Sequence, residues 1–387
     1  MNFKWFSPTI SKTALLIAVV FTTAIDCRYT VRAADEPTGI TKPIILPPFD
    51  PSAPGCTPPP GLTKTLTFVQ DNQRQFMEGV GRGLALAAKD RGLSYQNLLA
   101  DNNANKMVEH LQAALESKTG AVVASPVDPP SIVRSLQQLI WSGAYVGTVV
   151  PPPAISILNA PQYLTGKALG DAAANYIKNR LSGSAKVVLL THDNLQFLAP
   201  RFAAMRDSLK GMPGVTIVAD ISPITVDKNG GAAMMETILL ANPTLDVVLG
   251  ADTVVLGALQ TLRAAGKARQ DQFLAGIDGE TEALEEIKKN GPYKATVNLA
   301  SPVFAYAMGQ HAADWLEGKS VPQAIDILPK LITFENVAAY EQEVAEPSRV
   351  YSDGKLRAEY LKMYGNICHD TRDRYLNFPW SSERKTQ

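Results

Sequence analysis

The chain has 387 residues, with 37 Lys and Arg against 37 Asp and Glu, so its formal net charge is zero. That balance offers no global basic field to draw in nucleic acid and no acidic field to draw in a basic partner. The length allows two or three domains.

The first segment reads as an export signal. Lys4 and Lys12 precede the apolar run Ala14-Leu-Leu-Ile-Ala-Val-Val-Phe, and Val31-Arg32-Ala33 places small residues at a cleavage position. The run is too short to span a bilayer. Cleavage after Ala33 would release a periplasmic mature chain, and no later segment is long and apolar enough to be a membrane span. A lipid anchor on Cys27 is disfavoured, because Asp26 stands where a lipoprotein signal wants a small neutral residue.

Two cysteines remain after the signal, Cys56 and Cys368, near opposite ends of the mature chain. In an oxidising compartment they either form a disulfide that ties the two ends together or stay as unpaired thiols, since spacing alone does not supply the approach of their Cα atoms.

Residues 34–62 are dense in proline and favour an extended tether, a spacer or a strap, over a packed element. The ordered body then repeats a short β-branched run followed by an amphipathic helix. The first series predicts strand Thr65–Val69, a helix from Phe76 stopped by Arg91-Gly92, strand Tyr95–Leu99, helix Lys106–Ser117, strand Gly120–Ala124, helix Pro130–Ser142 and strand Tyr145–Val150. The run Pro151-Pro152-Pro153 interrupts the pattern. A second series predicts helix Thr165–Leu181, strand Ala185–Leu190, helix Phe202–Lys210, strand Val215–Ile221, helix Gly231–Ala241 and strand Val247–Leu249. Helix Thr253–Ala265, strand Phe273–Gly276 and helix Thr281–Asn290 complete it. Strand Ala295–Asn298, helix Phe304–Glu317 and strands Asp326–Leu328 and Leu331–Phe334 then return the chain to the first half and back, and a helix over Lys355–Tyr364 precedes an aromatic tail, Tyr375 to Trp380, expected to pack onto a lobe in preference to serving as a partner site.

Strands alternating with helices at this spacing imply right-handed crossovers and parallel sheets covered on both faces. The fold class is therefore α/β, with two similar Rossmann-like lobes joined by a multi-strand hinge. The expected division is a signal peptide over 1–33, a proline-rich extension over 34–62, a first lobe over 63–158 plus 299–331, a second lobe over 159–298 plus 332–345, and a C-terminal extension over 346–387.

Catalytic signatures are missing from the sequence. Gly79-Val-Gly81-Arg-Gly83 lies within a helical pattern, misses the dinucleotide-loop spacing, and reads as a helix face close to the sheet. His110, His192, His311 and His369 are dispersed without metal-ligand spacing and read as surface or locally bonded residues. No cofactor, metal or nucleic-acid partner is expected, nor is an enzyme. Asp101, Asp252 and Asp278 each closely follow a predicted strand, at the sheet edge where open α/β folds bind ligands. Each serves either as a helix cap or as a ligand contact, with capping favoured for Asp101.

Several landmarks fall in a familiar order: Phe76, Arg91-Gly92, Asp101-Asn-Asn103, Arg201, Ala241-Asn-Pro243, Asp252 with Leu256-Gly257-Ala258-Leu259, Gly276-Ile-Asp278-Gly279 and Ala295-Thr296. Over about Thr63 to Phe334 the chain resembles the periplasmic sugar-binding proteins of ABC importers, in the ribose-binding type of the class I two-lobed family. The resemblance implies capture of a small polar ligand by hinge closure. It implies that Phe76 stacks on the ligand or else is a core phenylalanine, that Arg201 clamps hydroxyl or carboxylate groups or else lies on the surface, that Asp278 accepts from hydroxyls, and that Asn298 lies near the second hinge crossing. Three departures are visible: Val150-Pro151 where ribose-type proteins carry an Asp-Arg pair, Ala251 where they carry asparagine, and Gln70-Asp-Asn-Gln-Arg74-Gln75 as the first loop. They argue against a pentose or hexose held by the usual clasp and for a less polar pocket on that side.

The resemblance implies a monomer that delivers a carbohydrate or polyol to an ABC permease. A sensing subunit that signals to a membrane receptor or histidine kinase is the alternative. A transcription regulator on the same core is disfavoured, because an export signal and a proline strap stand where a helix-turn-helix would be.

Overall fold

A computed structural model describes residues 38–149, 153–193, 195–196 and 198–383. The export signal, Val150-Pro151 and Cys27 fall outside these residues. The first series forms β1 (Thr63–Gln70), α1 (Gln75–Asp90), β2 (Ser94–Leu99), α2 (Ala104–Glu116), β3 (Thr119–Ala124), α3 (Pro129–Trp141), β4 (Tyr145–Thr148) and β5 (Ser156–Asn159). The second forms α4 (Gln162–Arg180), β6 (Ser184–Leu190), α5 (Ala199–Leu209), β7 (Gly214–Ile221), α6 (Lys228–Ala241), β8 (Val247–Leu249), α7 (Asp252–Ala264), β9 (Phe273–Asp278), α8 (Thr281–Lys288) and β10 (Tyr293–Asn298). The remainder comprises α9 (Ser301–Leu316), β11 (Ala324–Ile327), β12 (Lys330–Thr333), α10 (Val337–Ala345), α11 (Pro347–Ser352), α12 (Gly354–Tyr360) and β13 (Leu361–Tyr364).

These strands make two sheets. The first is seven-stranded in the order β13-β11-β5-β4-β3-β1-β2, and the second is six-stranded in the order β12-β10-β9-β8-β6-β7. All pairings are parallel except the last strand added to each sheet, where β13 runs antiparallel to β11 and β12 antiparallel to β10. The first and second halves thus form α/β lobes of the same design. The chain passes between them after β5, after β10, after β11 and again after β12.

Continuous apolar runs explain the sheets. β3 (Thr-Gly-Ala-Val-Val-Ala) is buried along its whole length, as expected of a central parallel strand covered on both faces. Helix α9 is buried at nearly every position and packs on α1. Close approach there requires glycine: a Cβ at Gly79 would lie 2.2 Å from Ser301 Oγ, and one at Gly83 2.3 Å from the Pro302 carbonyl oxygen. The glycine-rich face expected against the sheet is therefore mainly a seat for α9, and only Gly81 faces the strand residues Tyr95 and Phe68.

Several elements differ from expectation, α11 among them. The four-residue β5 sits just beyond the proline break, too short for a periodic signal. Helix α10 packs against α8, α9 and β12 and has no counterpart in the two-lobe pattern. The helix expected over Lys355–Tyr364 ends at Tyr360, and Leu361–Tyr364 instead forms β13, because the free edge of β11 supplies a hydrogen-bonding partner that local periodicity cannot register.

The two extensions meet. Cys56 and Cys368 are joined by a disulfide with Cα atoms 6.0 Å apart. The Ile40 amide donates to the Tyr375 carbonyl (2.8 Å), the Gly365 amide to Pro47 (2.7 Å) and the Cys56 amide to Gly318 (2.7 Å). Leu46, Leu376, Phe378 and Trp380 bury themselves with Ala154, Ile157 and Ala324 in a separate apolar cluster.

Candidate functional site

The segments that follow the C-terminal ends of β1 and β9, one from each lobe, meet at Gln75 and Thr281. On the first lobe, the loop after β1 is held by its own side chains. Gln70 donates to the Asn72 carbonyl (2.5 Å) and accepts from Asn97 (2.9 Å), and Asp71 accepts from the Asn72 amide (2.8 Å) and from Arg74 Nη2 (3.0 Å). This bonding presents Arg74, Gln75 and Phe76 at the start of α1. Phe76 is half-buried, its ring 5.8 Å from that of Phe304 at a tilt of 45°.

On the second lobe, the loop joining β9 to α8 carries Asp278, Gly279 and Glu280. Asp278 adopts φ 114°, a conformation that non-glycine residues rarely take, and Gly279 follows at φ 68°. A Cβ on Gly279 would lie 1.6 Å from Asn298 Nδ2. Behind the loop, Asp252 is fully buried and its carboxylate is saturated: Tyr293 Oη donates at 2.6 Å, Thr296 Oγ1 at 2.8 Å and the Glu280 amide at 2.9 Å. Asn298 works likewise, accepting from the Ala300 amide and donating to the Gly279 carbonyl (3.3 Å).

Charge in this loop is desolvated. Burial raises the Asp278 carboxyl above its usual value, and Arg201 and Arg74 pull it back down. Burial lifts Asp252 to about 6 and Glu280 to about 7, the neighbouring carboxylates adding to both. Arg201, on α5, is 7% exposed, and its Nε donates to Gln162 Oε1 at 2.9 Å. Burial depresses its guanidinium and Asp278 offsets part of that effect. Asp278 therefore feels one arginine from each lobe. The lobes also touch directly, since the Thr281 amide donates to Gln75 Oε1 (3.2 Å) and Gln75 Nε2 donates to the Thr281 hydroxyl.

The residues singled out in sequence thus divide by role. Asp278 interacts with Arg201 and with Arg74, and Phe76, two residues beyond Arg74 at the start of α1, packs against Phe304. Asp252 neither caps α7, whose N-cap is Ala251, nor lies open to a ligand; its carboxylate points inward because three buried donors need an acceptor. Asn298 is likewise turned onto the loop backbone. Asp101 sits in an exposed left-handed turn (φ 55°), while Asn103 caps α2 by accepting from the Lys106 amide.

Arg74, Gln75, Glu280 and His192 were not singled out. His192 is no surface residue: it is 2% exposed, lies edge-on to Phe202 at 6.0 Å, and its Nε2 has no hydrogen-bond partner among the described residues. Burial and Arg201 lower its affinity for a proton. Its position just beyond β6, at the same sheet edge that drew notice to the aspartates, is the signal that could have found it. Among the described residues, no group of His, Cys, Asp and Glu is arranged to hold a metal ion, and no helix is long and apolar enough to cross a membrane.

A family model described as a periplasmic binding protein domain matches residues 66–320. The ribose import binding protein of Bacillus subtilis is 26% identical over 266 residues, covering 67% of this chain and 83% of its own. The D-apiose import binding protein of Actinobacillus succinogenes is 26% identical over 250 residues, covering 61% and 76%. The same fold is seen in a periplasmic ribose ABC transporter protein from Conexibacter woesei (TM-score 0.63, 19% identity, 73% of this chain and 95% of that one). It is seen again in a Caulobacter myo-inositol binding protein (TM-score 0.58, 24% identity, 73% and 97%).

Proposed function

The chain belongs to the periplasmic binding protein domain family, and from that premise we propose that it is an extracytoplasmic solute-binding protein. It captures a small polyhydroxylated ligand, a carbohydrate or polyol, between its lobes and passes it to an ABC import permease. The ribose and D-apiose import proteins among its relatives support this reading over a sensing subunit. The single observation that carries it is the convergence of Arg201 and Asp278 with Arg74, Gln75 and Phe76 from the opposite lobe.

Each group has a role that its environment suits. Phe76 offers a ring face to the apolar face of a sugar or polyol. Arg201 donates to hydroxyls and Asp278 accepts from them, and in a closed cleft one unpaired polar group costs about 1 to 3 kcal/mol, which gives the pair its selectivity. Asp252 and Asn298 hold the Asp278–Glu280 loop in its unusual backbone conformation without touching the ligand. Asp101, at the rim, meets the ligand only through the adjoining Asn72–Asn102 contact (3.2 Å). The Gln75–Thr281 contact stabilises the closed arrangement, and a ligand that binds this arrangement better shifts the population toward it. Binding without turnover is the activity we assign, to a monomer that needs no cofactor.

An extracytoplasmic location accords with the family, and export by the signal in residues 1–33 with cleavage after Ala33 is our reading of the route. N-terminal sequencing of the secreted protein checks it. The binding reading is tested by calorimetry with myo-inositol, D-ribose, D-allose and glycerol on the wild type and on Arg201→Ala. Saturable binding of at least one, lost or strongly weakened in the variant, is expected; equal binding by both would overturn this placement of the site.

A further inference from the structure

The C-terminal tail does more than pack on the first lobe. Trp380 is buried in one cluster with Leu46 and Ile157, and the chain runs on from there to Ser382 and Glu383. There Ser382 hydrogen-bonds to Asp326 at the end of β11, whose carboxylate also accepts from Asn159 Nδ2 at 2.7 Å. These two residues stand at the ends of strands from which the chain leaves the first sheet.

The next residue reaches the second lobe. Glu383 accepts from the Tyr163 amide (3.2 Å) and the Leu164 amide (2.8 Å), in the first turn of α4. Helix α4 starts at Gln162 behind Pro161, which makes no side-chain cap. Tyr163 and Leu164 are the positions whose amides an N-cap side chain ordinarily serves, so Glu383 supplies from 219 residues away the acceptor that the local sequence lacks, with a charge that suits a helix start.

Gln162, the first residue of α4, is the hydrogen-bond partner of Arg201 Nε. Ordering the first turn of α4 therefore orders the acceptor that aims the buried guanidinium into the cleft. We infer that Ser382 and Glu383 form a clasp across the hinge, and that Glu383 is a positioning residue for Arg201, setting ligand affinity from outside the cleft and outside the family-matched span. The part concerning affinity rests on the ligand-binding reading above; the part concerning Arg201 does not.

The test uses the full chain and three variants: Glu383→Ala, Glu383→Gln and Arg201→Lys. Without ligand, hydrogen exchange at the Tyr163 and Leu164 amides and at Arg201 Nε–H, read by NMR, is expected to speed up about fivefold or more in Glu383→Ala, the size of a lost helix cap. Glu383→Gln, which keeps an acceptor oxygen, is expected to recover most of the protection. With myo-inositol, D-ribose and D-allose as probes, Glu383→Ala is expected to raise Kd about three- to tenfold, and to have no further effect when combined with Arg201→Lys.

Unchanged exchange at the α4 amides overturns the clasp. Faster exchange at those amides with Arg201 Nε–H still protected overturns the positioning role. If the wild type binds no probe, the ligand-binding reading is what fails, and the ligand-free exchange data still decide the clasp.

Discussion

The two lobes share a design but not a perimeter. One edge of the first sheet is β13, crossed by both extensions and pinned by the Cys56–Cys368 disulfide, and its other edge is the six-residue β2. The second sheet ends on β12 at one side and on β7 at the other, and no extension covers β7, an eight-residue strand on which Ile217 and Ile221 are exposed, followed by Ile224 at 97% exposure. Unpaired edges with exposed β-branched residues are weak points in a sheet. The difference teaches that the added segments reinforce mainly the first lobe, reaching the second through Glu383 on α4, and that the second, carrying Arg201 and Asp278, moves against it. The first lobe is the platform and the second the working part.

The comparison is broken most strongly by removing the disulfide. Replacing Cys56 and Cys368 by serine should destabilise the first lobe by about 2 to 5 kcal/mol. Hydrogen exchange followed peptide by peptide should show β13, α12 and the strap opening first while β6 to β9 keep their protection. Equal loss in both lobes would mean that the platform and the working part are not separable.

Acid should distinguish the lobes by sign. In the first lobe, burial lowers His311 from 6.5 to about 4, so its contribution is present above pH 6.5 and is lost as pH falls toward 4. In the second, Asp252 is raised from 3.8 to about 6, so the folded state binds the proton more tightly, and stability present below pH 4 is lost as pH rises through 6. Each is worth up to about 3 kcal/mol by linkage. Exchange at pH 5 and pH 7 should shift in opposite directions in the two lobes, and Asp252→Asn should reduce the second-lobe dependence, leaving the share of Glu280, which burial lifts to about 7, and leaving the first lobe unchanged.

Smaller effects sharpen the assignment within the cleft. Arg201→Ala should raise Kd at least about tenfold, or ~1.4 kcal/mol, by titration calorimetry. Gln75→Ala, which removes the direct contact between lobes, should shift the ligand-free protein toward an open form by about 0.5 to 1.5 kcal/mol. A larger radius of gyration in solution scattering, reversed by saturating ligand, would register it.

Much of the fold was legible because its signals are local and periodic. Fully apolar strand runs such as Ala121–Ala124, and helices with caps and glycine stops, announce alternating β and α elements without knowledge of their neighbours. The site was legible only in part. Phe76, Arg201 and Asp278 could be found from strand ends and family landmarks, but their company could not. Asp252 looked like Asp278 in sequence, each following a strand, yet one is saturated by Tyr293 and Thr296 and the other is held toward the cleft by a backbone at φ 114°. His192 passed as ordinary because burial and an unpartnered Nε2 leave no trace in spacing.

The amino-acid sequence by itself determined a doubly repeated α/β chain with parallel sheets and candidate residues at their C-terminal edges, because hydrophobic period and turn chemistry are properties of neighbouring residues. Only the tertiary structure decided that Cys56 meets Cys368, that Leu361–Tyr364 is a strand, and that Glu383 caps α4. The disulfide and the cap join residues 312 and 219 positions apart, and β13 pairs with a strand beyond its own local window; a disulfide, a sheet edge or an uncapped helix end is filled by whichever partner the fold brings within reach.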